Sequence, residues 1–372
     1  MLYRLPEELK HFAMLTILRY LIYSAINIFL PAYLIYKYDL KTSLMFLAFQ
    51  YFFIYTFISI SFFKRLTSKC SAEMIQILST IFGVLGIVVV FLIKNLLGII
   101  FGAFLLNLNF TLYWLSKHYV IVKYAKKEEE IEESVIIDSI GRIVYFVTPL
   151  ISSYIIYKLG YPIYYAITIF IIFSIIAYII TRTKKKKTYF YTKERALFKY
   201  KLLFFLEGVI GSGWILSTTA LLFYNIHTDI KFYGILKGLS QILIIALSFY
   251  IARMIDKKHN LKISILSLIF LAISFYLYIL FKDNIYALSI IVTLISLFYN
   301  LGSISPSAFL YEYAKAIDSG IILGREILLT FGRSIILFLS VYCQQIIYVI
   351  AFLTSIYVFI FYEIAIKHRD LL

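Results

Sequence analysis

The length of its apolar runs constrains this chain more than any other feature. They recur at about twenty residues, the number that carries an α-helix across a hydrocarbon core. Twelve can be marked, at 12–36, 43–63, 74–93, 96–121, 135–157, 161–181, 202–226, 232–254, 263–281, 285–311, 319–342 and 345–366. The chain is 62% hydrophobic and 15% charged, too few charges to cover a soluble domain of 372 residues. Hydrocarbon offers a backbone N–H or C=O no partner, so each run must satisfy its own as helix. The expectation is an all-α integral membrane protein with twelve transmembrane helices. The opening "MLYRLPEELK" is polar and the run behind it is too long for a signal core, so no cleavable signal is expected.

The net charge of +16 would point to nucleic acid in a soluble chain. Here its distribution argues for topology, and no nucleic-acid partner is expected. With both termini in the cytoplasm, 25 of the 36 Lys and Arg fall on the cytoplasmic side and six outside. The remaining five, Arg19, Arg142, Lys237, Arg325 and Arg333, lie within spans. Cytoplasmic loops of membrane proteins collect basic residues, so both ends are expected inside a cytoplasmic membrane. The longest polar stretch, "TRTKKKKTYFYTKERALFKYK", is expected to face lipid headgroups as a basic linker.

That linker divides the chain into units of 1–181 and 202–372, with 182–201 between them. The units share short repeats. "ILSTIF" at 77–82 returns as "ILSLIF" at 265–270, Gly141-Arg142 as Gly332-Arg333, and Asn109 as Asn300. The offsets, 188 to 191 residues, are close to half the chain. Six spans return a chain to its starting side, so the repeat implies two pseudo-symmetric six-helix bundles in parallel orientation.

Loop residues add a resemblance. "ARMIDKKHNLK", 252–262, places Ala252, Asp256, Lys257 and Lys258 between the eighth and ninth spans. Its counterpart "FKRLTSKCSAE", 63–73, has Ser68 where the second copy has Asp256. "SIGRIVYFVTPLISSYIIYKLGYPIYYAI" carries Gly141, Arg142 and Pro149 through the fifth and sixth spans. With six plus six spans, inner termini and a basic linker, the chain resembles the major facilitator superfamily of secondary transporters. The resemblance implies alternating access around a central cavity. It also implies that Asp256 latches the cytoplasmic side shut against a cation of the other half, for which Arg142 is the candidate. The bland alternative has Asp256 capping the ninth span and Arg142 paired with Asp138 at i, i+4.

Other charges inside spans are functional candidates by default. Arg19 and Glu207 are 188 residues apart, at equivalent places in the two halves. They are expected to pair as a gate, or Glu207 to carry a coupling proton; the alternative is that both reach out to headgroups. Asp138 is a second candidate proton carrier. Arg333, the repeat partner of Arg142, is the interior cation of the eleventh span. Arg325 and Glu326 are expected to be solvated near its cytoplasmic end, and Lys237 to reach outward. Pro31, Pro149 and Pro306 are expected kinks.

For the solute, the first, fourth, seventh and tenth spans offer Asn27, Asn107, Asn109, Trp114, Ser212 and Asn300. That set describes a mostly neutral, aromatic-lined cavity, suited to an amphipathic or uncharged molecule. Asn and Ser also hold helices together, the competing use of the same residues. No nucleotide-binding loop, catalytic pattern or metal-ligand spacing is present, and Cys70 and Cys343 form no framework, so no cofactor, metal or enzymatic activity is expected. The reading is a monomeric secondary transporter, with a proton-coupled exporter of small hydrophobic or amphipathic solutes ahead of a nutrient importer. Its rivals are a lipid scramblase, an integral lipid enzyme and a receptor of the same fold.

Overall fold

The structure, a computed structural model, is described for residues 5–126, 129–182, 200–226, 228–258, 262–316, 319–343 and 345–367. Among these residues twelve helical spans follow one another. The first six are α1 (Glu7–Lys37), α2 (Leu40–Thr67), α3 (Ala72–Leu92), α4 (Leu96–Tyr124), α5 (Glu130–Leu159) and α6 (Tyr161–Arg182). The second six are α7 (Lys201–Asn225), α8 (Ile230–Lys258), α9 (Lys262–Leu280), α10 (Ile285–Ala316), α11 (Gly320–Ser340) and α12 (Ile346–Lys367). Each apolar run of the sequence becomes one helical span, continuous or broken, and usually longer at its ends because polar residues continue the turns. The boundary at 182–201 falls mostly on 183–199, outside the described residues.

The halves α1–α6 and α7–α12 meet mainly through α1, α2, α4 and α5 against α7, α8, α10 and α11. Helices α3, α6, α9 and α12 stand outside, with apolar side chains such as Phe170 (74% exposed) and Phe359 (66%) turned outward to lipid. Two seams join the halves, and they are built differently. Along α5 and α8, Gly234 and Gly238 bring the backbones together: an added Cβ at Gly234 would lie 2.6 Å from the Pro149 carbonyl, and one at Gly238 2.9 Å from that of Phe146. This is a small-residue crossing of the Gly-x-x-x-Gly kind. Along α2 and α11 the contact is aromatic. Phe338 stacks edge-on to Phe49 and Phe52 at 5.5 and 5.7 Å, and Phe331 to Phe53 at 5.3 Å.

Four spans are interrupted, and at each interruption a neighbouring side chain donates to a carbonyl of the broken segment. α1 passes through a π-helical turn, Ala25–Phe29, ahead of Pro31. Pro31 has no N–H to give, so the turn widens; the Ala25 carbonyl accepts from both the Leu30 N–H and Tyr165, the latter at 3.2 Å, and Tyr233 of the other half donates to that of Ile28 at 3.4 Å. α2 breaks at Tyr51 and Phe52, and Asn107 donates to the Gln50 carbonyl at 2.9 Å. α7 breaks at Thr219, and the buried Lys237 donates to the Thr218 carbonyl at 2.7 Å. α10 breaks at Ser303, and Ser264 donates to the Leu301 carbonyl at 3.2 Å. An unserved carbonyl in hydrocarbon costs several kcal/mol, so these donors are conditions for the breaks. Lys237 therefore does not reach outward as expected; its ammonium is held inside by the carbonyl it caps.

Outside the spans, Asp39 begins α2 as an N-cap, its carboxylate accepting from the Thr42 N–H at 2.6 Å. That hydrogen bond holds the Asp39 carboxyl below its usual range. A lowered folded value means the stabilisation is complete above the ordinary aspartate range, near about 3.9, and is lost as pH falls through the lowered value. Asp39→Ala is expected to cost about 0.5–2 kcal/mol at neutral pH. Denaturant titration of the purified protein should show that loss at pH 7 and a narrowing gap from wild type toward pH 3.

Candidate functional site

Between the halves lies a cavity of about 190 Å³. Its walls come from α1, α2, α4 and α5 and from α7, α8, α10 and α11, four helices of each half. Contacts between the halves flank it on both sides. Toward the end where α6 leaves and α7 begins, Lys315 of α10 reaches the Ala125 carbonyl at 3.1 Å and the Glu130 carboxylate at 2.5 Å. There too, Tyr119 of α4 donates to the Ser319 carbonyl at 3.2 Å. Toward the opposite end, the segment of α7 after its break packs on the segment of α1 after Pro31.

The lining is charged. Arg19, Lys117, Arg142, Arg325 and Arg333 face it, against three carboxylates, Asp138, Glu207 and Glu326. Every carboxylate is engaged. Asp138 of α5 takes both its bonds from Lys117 of α4 at 2.7 Å. Glu207 of α7 holds Arg325 of α11 through both oxygens, one bond at 3.1 Å. Arg325 also donates to Glu326 at 3.2 Å, and Glu326 lies 3.8 Å from His118. The His118 ring bonds Tyr311 of the other half at 2.9 Å.

Three guanidiniums remain with no carboxylate partner among the described residues. Arg142 of α5 is satisfied by amides of the other half, donating to Asn300 at 2.6 Å and to Gln241 at 3.4 Å. Arg19 donates to Asn109, which in turn donates to the Ser79 carbonyl at 2.6 Å, and its guanidinium lies over the Tyr113, Tyr23 and Phe110 rings. Arg333 lies over Tyr51 at 5.3 Å and Phe110 at 5.6 Å. The two-fold repeat runs through this arrangement. Arg142 and Arg333 are 191 residues apart, and 191 residues before Gln241 and Asn300 stand Gln50 and Asn109. Those two amides are engaged by Asn27 and Arg19 instead, so Arg142 is held by amides while Arg333 lies over rings.

Several sequence expectations are corrected by this geometry. Arg19 and Glu207 do not pair, because each finds a partner inside its own half, Asn109 and Arg325. Arg142 does not pair with Asp138 along its helix; Asp138 turns to Lys117 instead. The side chain of Asp256 lies outside the described residues, and with it the proposed latch to Arg142. Of the expected solute contacts, Trp114 and Asn300 line the cavity. Asn27 accepts from Gln50, Asn107 serves the α2 break, Asn109 holds Arg19, and Ser212 donates to the Gly208 and Arg333 carbonyls. Polar groups buried between helices are spent on helix contacts first. Arg325 and Glu326 are buried, 7% and 4% exposed, and not solvated as expected, because α11 starts several residues before them. Lys117 and His118 were missed as site residues. The signal was present: Phe110, Tyr113, Trp114, Lys117 and His118 follow helical spacing down one face of α4.

Comparison with known proteins places this architecture. The profile of the family described as Major Facilitator Superfamily matches residues 12–337. No curated protein matches in sequence. Among solved structures, the human organic anion transporter MFSD10 (TETRAN) is similar over 95% of this chain and 99% of its own, at 12% identity and a TM-score of 0.63. The E. coli fucose:proton symporter covers 95% and 98%, at 13% and 0.64. A bacterial homologue of the iron transporter ferroportin, in an outward-facing state, covers 98% and 100%, at 12% and 0.68. At these identities the likeness is one of fold.

Proposed function

The chain belongs to the Major Facilitator Superfamily, and from that premise we propose that it moves a small charged solute across the cytoplasmic membrane by alternating access. Family membership makes it a membrane transport protein and sets aside the integral lipid enzyme. The observation that carries the finer reading is a single cavity walled by four helices from each half. A pathway shared equally by two bundles changes the side it opens to when the bundles rock. The moving units are 1–181 and 202–372, with 182–201 as the linker. The excess of Lys and Arg on the linker side supports both termini in the cytoplasm. One chain supplies the whole cavity, which supports a monomer.

The solute is charged in this reading, where the sequence alone favours a small hydrophobic or amphipathic compound. Eight charged side chains facing one small cavity make it a poor home for an uncharged greasy molecule. Coupling to protons runs through Asp138 or Glu207. Each is held by a cation, Lys117 or Arg325, and takes up a proton only when that cation is drawn away. A charged solute that competes for the cation links the two events.

Alternating access has a test that needs no solute. In a background with Cys70→Ser and Cys343→Ser, Ser307→Cys places a thiol on the cavity wall. Membrane-impermeant maleimide is expected to label it from either face of oriented vesicles. Cross-linking Tyr119→Cys to Ser319→Cys, across the bond at the linker end, is expected to abolish labelling from that face alone. Labelling from one face only, unchanged by the cross-link, would leave a receptor or a scramblase as the better reading.

A further inference from the structure

Arg19 and Arg333 come from opposite halves and approach the same ring. Their guanidinium carbons lie 5.4 and 5.6 Å from the centre of Phe110. Both line the cavity, and both are buried, at 3% and 7% exposure. Each retains a buried guanidinium nitrogen with no hydrogen-bond partner, Nη2 of Arg19 and Nε of Arg333. Neither has a carboxylate partner among the described residues. Buried charges normally carry both a counter-charge and a full set of hydrogen bonds. Two like charges beside one ring, each short of a bond, form half of a site.

We infer that the missing half is the carboxylate of a small organic anion with a flat, apolar body, and that Arg19 and Arg333 bind it jointly at Phe110. The inference rests on the transport reading above and names its solute. A carboxylate suits guanidinium N–H donors and supplies the negative charge that both arginines lack. The walls argue for the flat body. Trp214 and Tyr299 stack at 4.9 Å with only 9° between their planes, and Tyr23, Tyr51 and Trp114 add further faces. Gly211 keeps the place open. An added Cβ there would lie 3.0 Å from Nε of Arg333 and 3.2 Å from the Tyr299 hydroxyl.

The pseudo-symmetric partner shows the difference. Arg142 spends its guanidinium on Asn300 and Gln241. Their counterparts 191 residues earlier, Asn109 and Gln50, are taken by Arg19 and Asn27, and Arg333 is left over the Tyr51 and Phe110 rings.

The chain has two tryptophans, Trp114 and Trp214, and both line this cavity, so their emission reads its occupancy. The probes are benzoate, benzamide and benzamidine, which share a shape and differ in charge, with inorganic phosphate as an anion lacking the flat body. Benzoate is expected to change the emission saturably, and the other three are not. Arg19→Gln and Arg333→Gln are each expected to raise the half-saturating benzoate concentration at least about tenfold. Arg333→Lys, which keeps the charge and guards against misfolding, is expected to retain saturable binding, and size-exclusion profiles check all three variants. Saturation by benzamide or benzamidine at similar concentrations, equal binding of phosphate, no saturation by benzoate, or arginine variants that bind as wild type each overturn the inference. The thiol-labelling experiment stands apart from this one. Alternating labels without benzoate binding remove the solute class alone, and benzoate binding without alternation removes transport while leaving an anion receptor.

Discussion

Arg325→Met will destabilise the protein by about 3–5 kcal/mol, the scale for breaking a buried ion pair by removing one partner. Arg325 is 7% exposed and faces two carboxylates, Glu207 and Glu326. Taking it away leaves both acids buried on neighbouring helices, α7 and α11, with His118 3.8 Å from Glu326 and the Arg333 charge acting on Glu326 from further off. The loss comes from these abandoned charges more than from any favourable worth of the pair. The double variant Arg325→Met, Glu207→Leu should therefore recover much of the stability, since it removes one of them. Denaturant titration in detergent distinguishes the cases. A single variant as stable as wild type, or a double variant no better than the single, would show that the cluster is well hydrated and not a dry network. Transport should stay lost in the double variant, because Arg325 and Glu207 both line the cavity and neither is restored.

Gly234→Leu is the second large effect. Gly234 of α8 meets Ser153 and the Pro149 carbonyl of α5 so closely that even a methyl group has no room. The Pro149 carbonyl belongs to the backbone of a continuous helix, and it cannot retreat as a flexible side chain does. Leucine must then push α8 off α5 and open the seam between the halves. Overpacking of a close helix contact costs about 1–3 kcal/mol, and more where backbone has to move. Transport should fall at least about tenfold, because the seam positions both walls of the cavity. Two comparisons check the cause. Gly238→Ala meets the Phe146 carbonyl at 2.9 Å and the Leu150 side chain at 3.0 Å, which can shift, so its effect should be smaller. Ser153→Gly should partly rescue Gly234→Ala by removing one of the two obstacles. Equal losses at Gly234 and Gly238, or no rescue, would put the origin outside this crossing.

The two seams show how unevenly the molecule could be read in advance. Gly234 and Gly238 form a plain Gly-x-x-x-Gly pattern in an apolar span, yet the pattern names no partner helix. Asn107 and Asn109 looked like solute contacts because amides inside a span are costly. The cost is real, but a freed carbonyl on α2 and a guanidinium on α1 claim them first. Lys117 stands near the end of the fourth apolar run, where the sequence names no partner for it, and only the docking of α5 against α4 brings Asp138 to it and makes burial of its charge tolerable.

The twelve spans, their helical state and the half-length repeat follow from the chain alone. A run of about twenty apolar residues must cross as helix, since lipid leaves its backbone no other partner. Which charge meets which was decided by packing. Helical spacing tells which residues share a face, but not what that face is turned toward, and a buried charge takes whatever partner the neighbouring helix brings within reach. So Arg19 met Asn109, Glu207 met Arg325, and Arg333 met rings and the Tyr299 hydroxyl.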